Sequence, residues 1–273
     1  MRLRSLLYVP AHSERFIAKA HERGADAIVL DLEDAVPERD KTAARDRLAA
    51  TISAVTRNGA AAFVRINAGR RQRDDAIAAA RAGAYGLFVP KAGDPGALEA
   101  LAGALRPVEA ELGRAALPLV AMVEDPAAML DARALARVQR VMALSFGAED
   151  FTASTGGTPT PDVLRHPKLM VHYAAKAEGK LSLGLLQSIA DYSDLDALAA
   201  AAREAKAHGF DGATCVHPSG VPVLNDGFAS TEAERDWATR VLAAAESGDA
   251  AFSVDGRMVD APVVARARRI LGQ

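Results

Sequence analysis

Short apolar runs recur along the chain, each closed by a polar or turn residue and followed by an alanine-rich amphipathic stretch. The runs are Ser5–Pro10, Ala27–Leu32, Ala61–Ile66, Gly86–Pro90, Leu117–Val123, Val141–Phe146, Leu181–Ile189 and Ala213–His217. They are too short for helices, several are rich in β-branched residues, and turn signals bound them, so the pattern predicts eight strands. Helical composition fills the gaps at Glu14–Arg23, Lys41–Arg57, Arg73–Ala82, Pro95–Leu112, Pro126–Arg137, His166–Ala177 and Asp194–Ala207. Gly24, Gly83, Gly113, Gly179 and Gly209 stand where those helices should end.

Continuous apolar strands alternating with helices predict a parallel sheet covered on both faces. An open doubly wound sheet that binds dinucleotides needs a Gly-rich phosphate turn after its first strand, and Val9-Pro-Ala-His-Ser-Glu14 supplies none. The expected fold class is therefore α/β: a (β/α)8 TIM barrel over residues 1–220, with a C-terminal helical extension over 221–273 in the same domain. In that extension Val221–Phe228 reads as irregular, Ser230–Ala245 as a helix and Glu246–Asp255 as a turn-rich link. A last helix is expected after Pro262.

Composition narrows the function classes. The chain has 273 residues, a normal length for one such barrel, and half of them are apolar. With 33 basic and 35 acidic residues it has no basic excess to bind nucleic acid. No apolar stretch approaches the roughly 20 residues that span a bilayer, and the run Leu6–Val9 is too short for a signal peptide. Cys215 is the one cysteine, so no internal disulfide forms. A cytoplasmic protein is expected.

Chemistry in such a barrel sits at the C-terminal ends of the strands. Those ends carry Asp31-Leu-Glu33-Asp34, Arg65-Ile-Asn67, Pro90-Lys91, Glu124-Asp125, Gly147-Ala-Glu149-Asp150 and His217-Pro218. Seven carboxylates on one rim repel unless a cation lies among them, and Mg2+ is a hard dication that takes oxygen ligands. Mn2+ is the alternative. Glu124 and Asp150, from adjacent strands, are the chosen metal ligands. The planar fork of Arg65 suits a substrate carboxylate or carbonyl oxygen. Metal plus arginine is an arrangement for holding an enolate, whose charge appears as a carbon–carbon bond breaks.

Plainer roles stand beside these. A strand-end carboxylate is often a helix N-cap, and Arg65 could pair with Glu33 or Asp34 alone. Lys91 reads first as a structural rim residue and second as a Schiff-base amine. His217 reads as a loop shaper, and the spacing of His166 and His172 does not put both on one helix face for zinc.

The motifs, taken in order, resemble the citrate lyase beta-subunit-like family, within the metal-dependent barrel aldolases and malyl-CoA lyases. The stretches are Arg4–Ala11, Asp26–Val36 with Lys41 and Arg45, Val64–Asn67, Val89–Lys91, Met122–Glu124, Leu144–Asp150, Gly209–Gly212 with Val216–Pro218, and Asp255–Pro262. Each is weak alone; eight in order are specific. The resemblance implies Mg2+ on Glu124 and Asp150, with Glu124 also at the substrate and Arg65 on the small acid. It implies coenzyme A contacts from Tyr8, Arg15 and Lys19. It further implies that Asp260 completes the site from a C-terminal lid, often across a subunit interface, in a homo-oligomer, a trimer or hexamer. Between Thr152 and Asp191 the chain departs from the family pattern, in a stretch that the resemblance implies helps to shape the substrate pocket.

The expected function is a Mg2+-dependent carbon–carbon lyase on a β-hydroxy acyl-CoA thioester of the citryl-, malyl- or citramalyl-CoA type. Its partners would be acyl-CoA and a small keto acid such as oxaloacetate, glyoxylate or pyruvate. Asp260 or Glu33 would move the proton. Two alternatives stay open: a metal-dependent aldolase on free 2-keto-hydroxy acids, and a thioester- or keto-acid-binding subunit without turnover of its own.

Overall fold

A computed structural model of the chain describes residues 2–187, 193–246 and 252–272. Ser188 and Ile189 of the expected seventh strand, and residues 247–251 of the expected link, lie outside these. The described chain divides into two compact units, Met1–Phe228 and Ala229–Gln273.

The first unit holds the parallel strands β1 (Ser5–Pro10), β2 (Ala27–Asp31), β3 (Ala61–Arg65), β4 (Gly86–Val89), β5 (Leu119–Val123), β6 (Val141–Phe146), β7 (Leu181–Leu183) and β8 (Ala213–Cys215). Their spatial order is β7-β6-β5-β4-β3-β2-β1-β8. β7 and β8 meet through one parallel bridge, Leu183 to Gly212, flanked by two backbone hydrogen bonds. In these, Gly184 N–H donates to the Gly212 carbonyl (2.8 Å) and Asp211 N–H to the Ser182 carbonyl (3.0 Å). The ring is thus an eight-stranded barrel, nearly closed, as the strand pattern predicts.

Side chains alternate across the wall. Leu6, Val29, Phe63, Phe88, Val120, Met122 and Ala143 pack into the barrel interior, with the Phe63 and Phe88 rings edge to face at 5.6 Å. Leu7, Val9, Ile28, Leu30, Val64, Leu87 and Leu144 pack outward against the helices. That burial on both faces is why the strands read as continuous apolar runs.

Local differences have local causes. The stretches Lys41–Arg57 and Pro126–Arg137 each break into two short helices, the second around Asp131. Val221–Phe228, expected to be irregular, lies in the helix Gly220–Phe228. Val221, Leu224 and Phe228 fall at helical spacing and are buried. Pro222 sits in the first turn, where the N–H it lacks has no intrahelical partner.

The second unit has a helix Glu232–Ala245, an antiparallel hairpin Phe252–Val254 and Arg257–Val259, and a helix Ala261–Leu271. Thr231 and Glu234 form a capping box on the first helix. Ala238, Val241, Val254, Val259 and Ala267 make its small core. Among the described residues, no helix is long and apolar enough to cross a membrane.

Candidate active site

The inward register of the barrel, continued past its last apolar layer, generates the site. Above Leu6 comes Tyr8; above Val29, Asp31 and then Glu33; above Phe63, Arg65; above Met122, Glu124. Period two carries each polar group to the mouth side of the same interior face. Asp31 and Arg65 are registered neighbours on β2 and β3.

Arg65 sits at the centre of the β2–β3 side. Its Nε and one terminal nitrogen donate to the two carboxylate oxygens of Asp31 at 2.7 and 2.6 Å, a bidentate fork. Its other terminal nitrogen lies 2.9 Å from Glu33 and donates to Asp34 at 3.0 Å. Burial works against the guanidinium charge, but the bonds to Asp31 outweigh it and hold the pKa above its ordinary value. The guanidinium also stands over the Tyr8 ring, 5.2 Å from its centroid. Burial pushes the Tyr8 phenol pKa well up, so the hydroxyl stays protonated at neutral pH.

Asp31 is 1% exposed and also accepts from the backbone N–H groups of Glu33 and Ala35 (2.9 and 3.0 Å). The Lys41 ammonium ties the same rim, donating to the carbonyls of Leu32 and Glu33 and to Asn67 Oδ1. Asn67 is held in turn by Asp75, through its N–H and its amide (3.0 and 2.7 Å). Glu33 is 8% exposed. Burial pushes its carboxyl up to about 7, with Arg65 opposing and Asp34 adding.

The β5–β6 side is balanced differently. Glu124 is 4% exposed and accepts from the Lys91 backbone N–H at 2.7 Å. Burial raises its pKa to about 7 against that bond, and the charge of Asp150 raises it further. Asp150 and Glu149 are exposed in the first turn of the helix Ala148–Thr155, where the helix dipole favours negative charge. Gly147, at the foot of that helix, lets Glu124 approach. A Cβ there would lie 2.6 Å from Glu124 Cγ. The described residues contain no cluster of three or more His, Cys, Asp or Glu side chains able to hold a metal, so the candidate ligand set is this pair.

The remaining candidates disperse. Asp125 is the N-cap of the helix Pro126–Leu130, accepting from Ala128 N–H at 2.9 Å. Lys91 has an exposed side chain and a φ of 51°, and it meets Glu124 through its backbone. His217 bonds Ser219 two residues on (2.7 Å), as a loop shaper does. Arg15 and Lys19 are exposed on the helix Glu14–Ala20, whereas Tyr8 lies inside the barrel. Asp260 belongs to the second unit, where it caps the helix Ala261–Leu271.

Sequence reasoning left Asp31, Lys41, Asn67 and Asp75 without roles. Asp31 was legible in principle, two positions above Val29. The partner of Lys41 depends on how helix and loop fold back, and no local pattern carries that.

Comparison with known proteins gives the family and the fold of the chain. A citrate lyase subunit beta-like protein of Deinococcus radiodurans is 34% identical, over 98% of this chain and 96% of its own. A (3S)-malyl-CoA thioesterase of Cereibacter sphaeroides is 33% identical, over 99% and 94%. The crystal structure of CitE from Mycobacterium tuberculosis, in complex with magnesium, acetoacetate and coenzyme A, superposes with a TM-score of 0.80. It shares 32% identity and covers 98% of this chain and 96% of that one. The family model for HpcH/HpaI aldolase/citrate lyase matches residues 4–218, which span all eight strands. This chain belongs to the HpcH/HpaI aldolase/citrate lyase family.

Proposed function

We propose that this chain is a Mg2+-dependent carbon–carbon lyase acting on a β-hydroxy acyl-CoA thioester of the citryl-, malyl- or citramalyl-CoA type. The observation that carries the reading is the Glu124–Asp150 pair: two carboxylates from adjacent strand ends, one of them desolvated and pushed toward its neutral form. A hard dication that keeps several waters needs few protein ligands and stabilises such a pair, so the residues fit Mg2+, with Mn2+ as its substitute. When bound, the ion would neutralise negative charge on the keto-acid oxygens.

In the cleavage direction a base takes the β-hydroxyl proton and the carbon–carbon bond breaks. A keto acid such as oxaloacetate, glyoxylate or pyruvate leaves. An acid then protonates the enolate carbon of the acyl thioester. Glu33, with a pKa near 7, can hold or release a proton at neutral pH. Arg65 offers its remaining N–H to an anionic oxygen from a guanidinium already fixed by Asp31. Tyr8 supports that guanidinium from below. Asp260 as a proton carrier, Arg15 and Lys19 on coenzyme A, a homo-oligomer and a cytoplasmic location are part of this reading on family resemblance and composition alone. Removal of divalent metal with EDTA should abolish turnover of malyl- and citramalyl-CoA, and Mg2+ should restore it. A fully active chelated enzyme rejects the reading.

The likeness to a (3S)-malyl-CoA thioesterase supports a second outcome at the same site, hydrolysis of the thioester. The products decide: a lyase gives acyl-CoA and a keto acid, whereas a thioesterase gives free thiol and the intact hydroxy acid.

A further inference from the structure

The barrel wall has a notch at β7, one of its two three-residue strands. β6 runs to Phe146, but β7 stops at Leu183, the registered partner of Ser145. On the other side Thr214 of β8 is registered with Leu6 of the interior layer. Beyond Leu183 the chain leaves the strand ladder as Gly184–Gln187, and a cavity of about 160 Å³ lies between that segment, β6 and β8. Ser145, Leu183 and Thr214 line it from the barrel interior; Phe146, Val171 and Lys168 line it from the helix layer. The cavity crosses the wall.

Lys168 comes from the helix Pro161–Ala177, within the stretch that departs from the family pattern. It is 7% exposed, and its ammonium donates to the Leu186 carbonyl at 3.3 Å. Burial pushes its pKa down to about 8, opposed by the charge of Glu149, so at neutral pH it is a largely charged, desolvated cation. Ser145 is two residues before Gly147, the glycine against Glu124, so the cavity begins about 7 Å along the strand from the metal-ligand pair. The mouth of the cavity thus adjoins the place where an acid held by the pair would lie.

We propose that this cavity is a second anion subsite, in which Lys168 receives the far carboxylate of a dicarboxylic keto acid. Lys168 then sets the preference for two-acid over one-acid substrates. The proposal rests on the reading that the keto acid is held at Glu124 and Asp150. Without the cation, the far carboxylate would enter a desolvated cavity unpaired, which costs more than a lost surface contact.

Pyruvate and oxaloacetate differ by that one carboxylate, and equilibrium binding of each with Mg2+ tests the subsite. Wild type should bind oxaloacetate more tightly than pyruvate. In Lys168→Met, oxaloacetate should weaken by about 10- to 100-fold, the size of a hydrogen bond between charged groups. Pyruvate should change less than about twofold, which also reports that the variant is folded. Lys168→Arg should retain part of the preference, and Lys168→Gln covers the case in which the Met variant does not fold. Equal weakening of both acids, or of neither, in the folded variants overturns the subsite and leaves the metal reading intact. If wild type binds neither acid with Mg2+, the metal reading fails and the subsite falls with it.

Discussion

At the β2–β3 rim, Asp31, Glu33 and Asp34 surround the guanidinium of Arg65, and four hydrogen-bonding or ionic contacts fix it. At the β5–β6 rim, Glu124 accepts from a backbone N–H, and burial together with Asp150 pushes it toward its neutral form. The same residue types thus serve two purposes. The first rim is a self-sufficient brace whose geometry is set before any ligand arrives. The second carries charge that the fold leaves to be balanced, as a cation-binding site does.

The sharpest way to break this contrast is Glu124→Gln, which removes one charge while keeping the shape. Turnover is expected to fall by about 10²- to 10³-fold, with Mg2+ binding lost in a direct titration. Unchanged Mg2+ affinity would end the claim for the second rim. On the first rim, Asp31→Ala removes the bidentate partner of a buried guanidinium and should destabilise the fold by about 3 kcal/mol, read from the urea midpoint. A loss near zero would mean that the brace is not one.

A pH series marks where the contrast ends, because Glu33 on the braced rim titrates like Glu124. Both carboxyls hold their protons up to about pH 7 when folded, chiefly through burial. In the unfolded chain they lose them near pH 4.5. The native state binds more protons in that window, so metal-free stability should fall as pH rises from about 4.5 to about 7, then level. Urea midpoints in EDTA measure this, and Glu33→Gln and Glu124→Gln should each flatten the slope. A midpoint that rises through that window contradicts the burial argument. The smallest effect is expected of Lys91→Ala. Its side chain is exposed and its backbone does the bonding, so kcat should stay within about twofold of wild type, far below the 10²-fold typical of a lost acid–base group. Borohydride with substrate should add no mass at Lys91. A trapped adduct would revive the Schiff-base alternative.

The barrel was legible because its signal is repetitive: eight apolar runs, each buried on two faces, with turn residues between. The position of acidic groups on the rim followed from strand ends alone. What Arg65 bonds to did not, since Asp31 is 34 residues away in sequence and becomes a neighbour only through β2–β3 register. Nor was Lys168 legible. A lysine on an amphipathic helix reads as a solvated face, and only the early end of β7 turns it into the wall of a cavity.

Closure of the ring has a consequence for which positions can vary. β7 and β8 are joined at Gly212, and a Cβ on that residue would lie 1.7 Å from the Leu3 carbonyl oxygen, inside its van der Waals volume. No rotamer relieves such an overlap, because the obstacle is main chain on the neighbouring edge. The residue that bridges to β7 also passes the chain leading into β1, so the ring closes there only through a residue that carries no side chain, and a methyl group would push β8 away from that neighbouring segment.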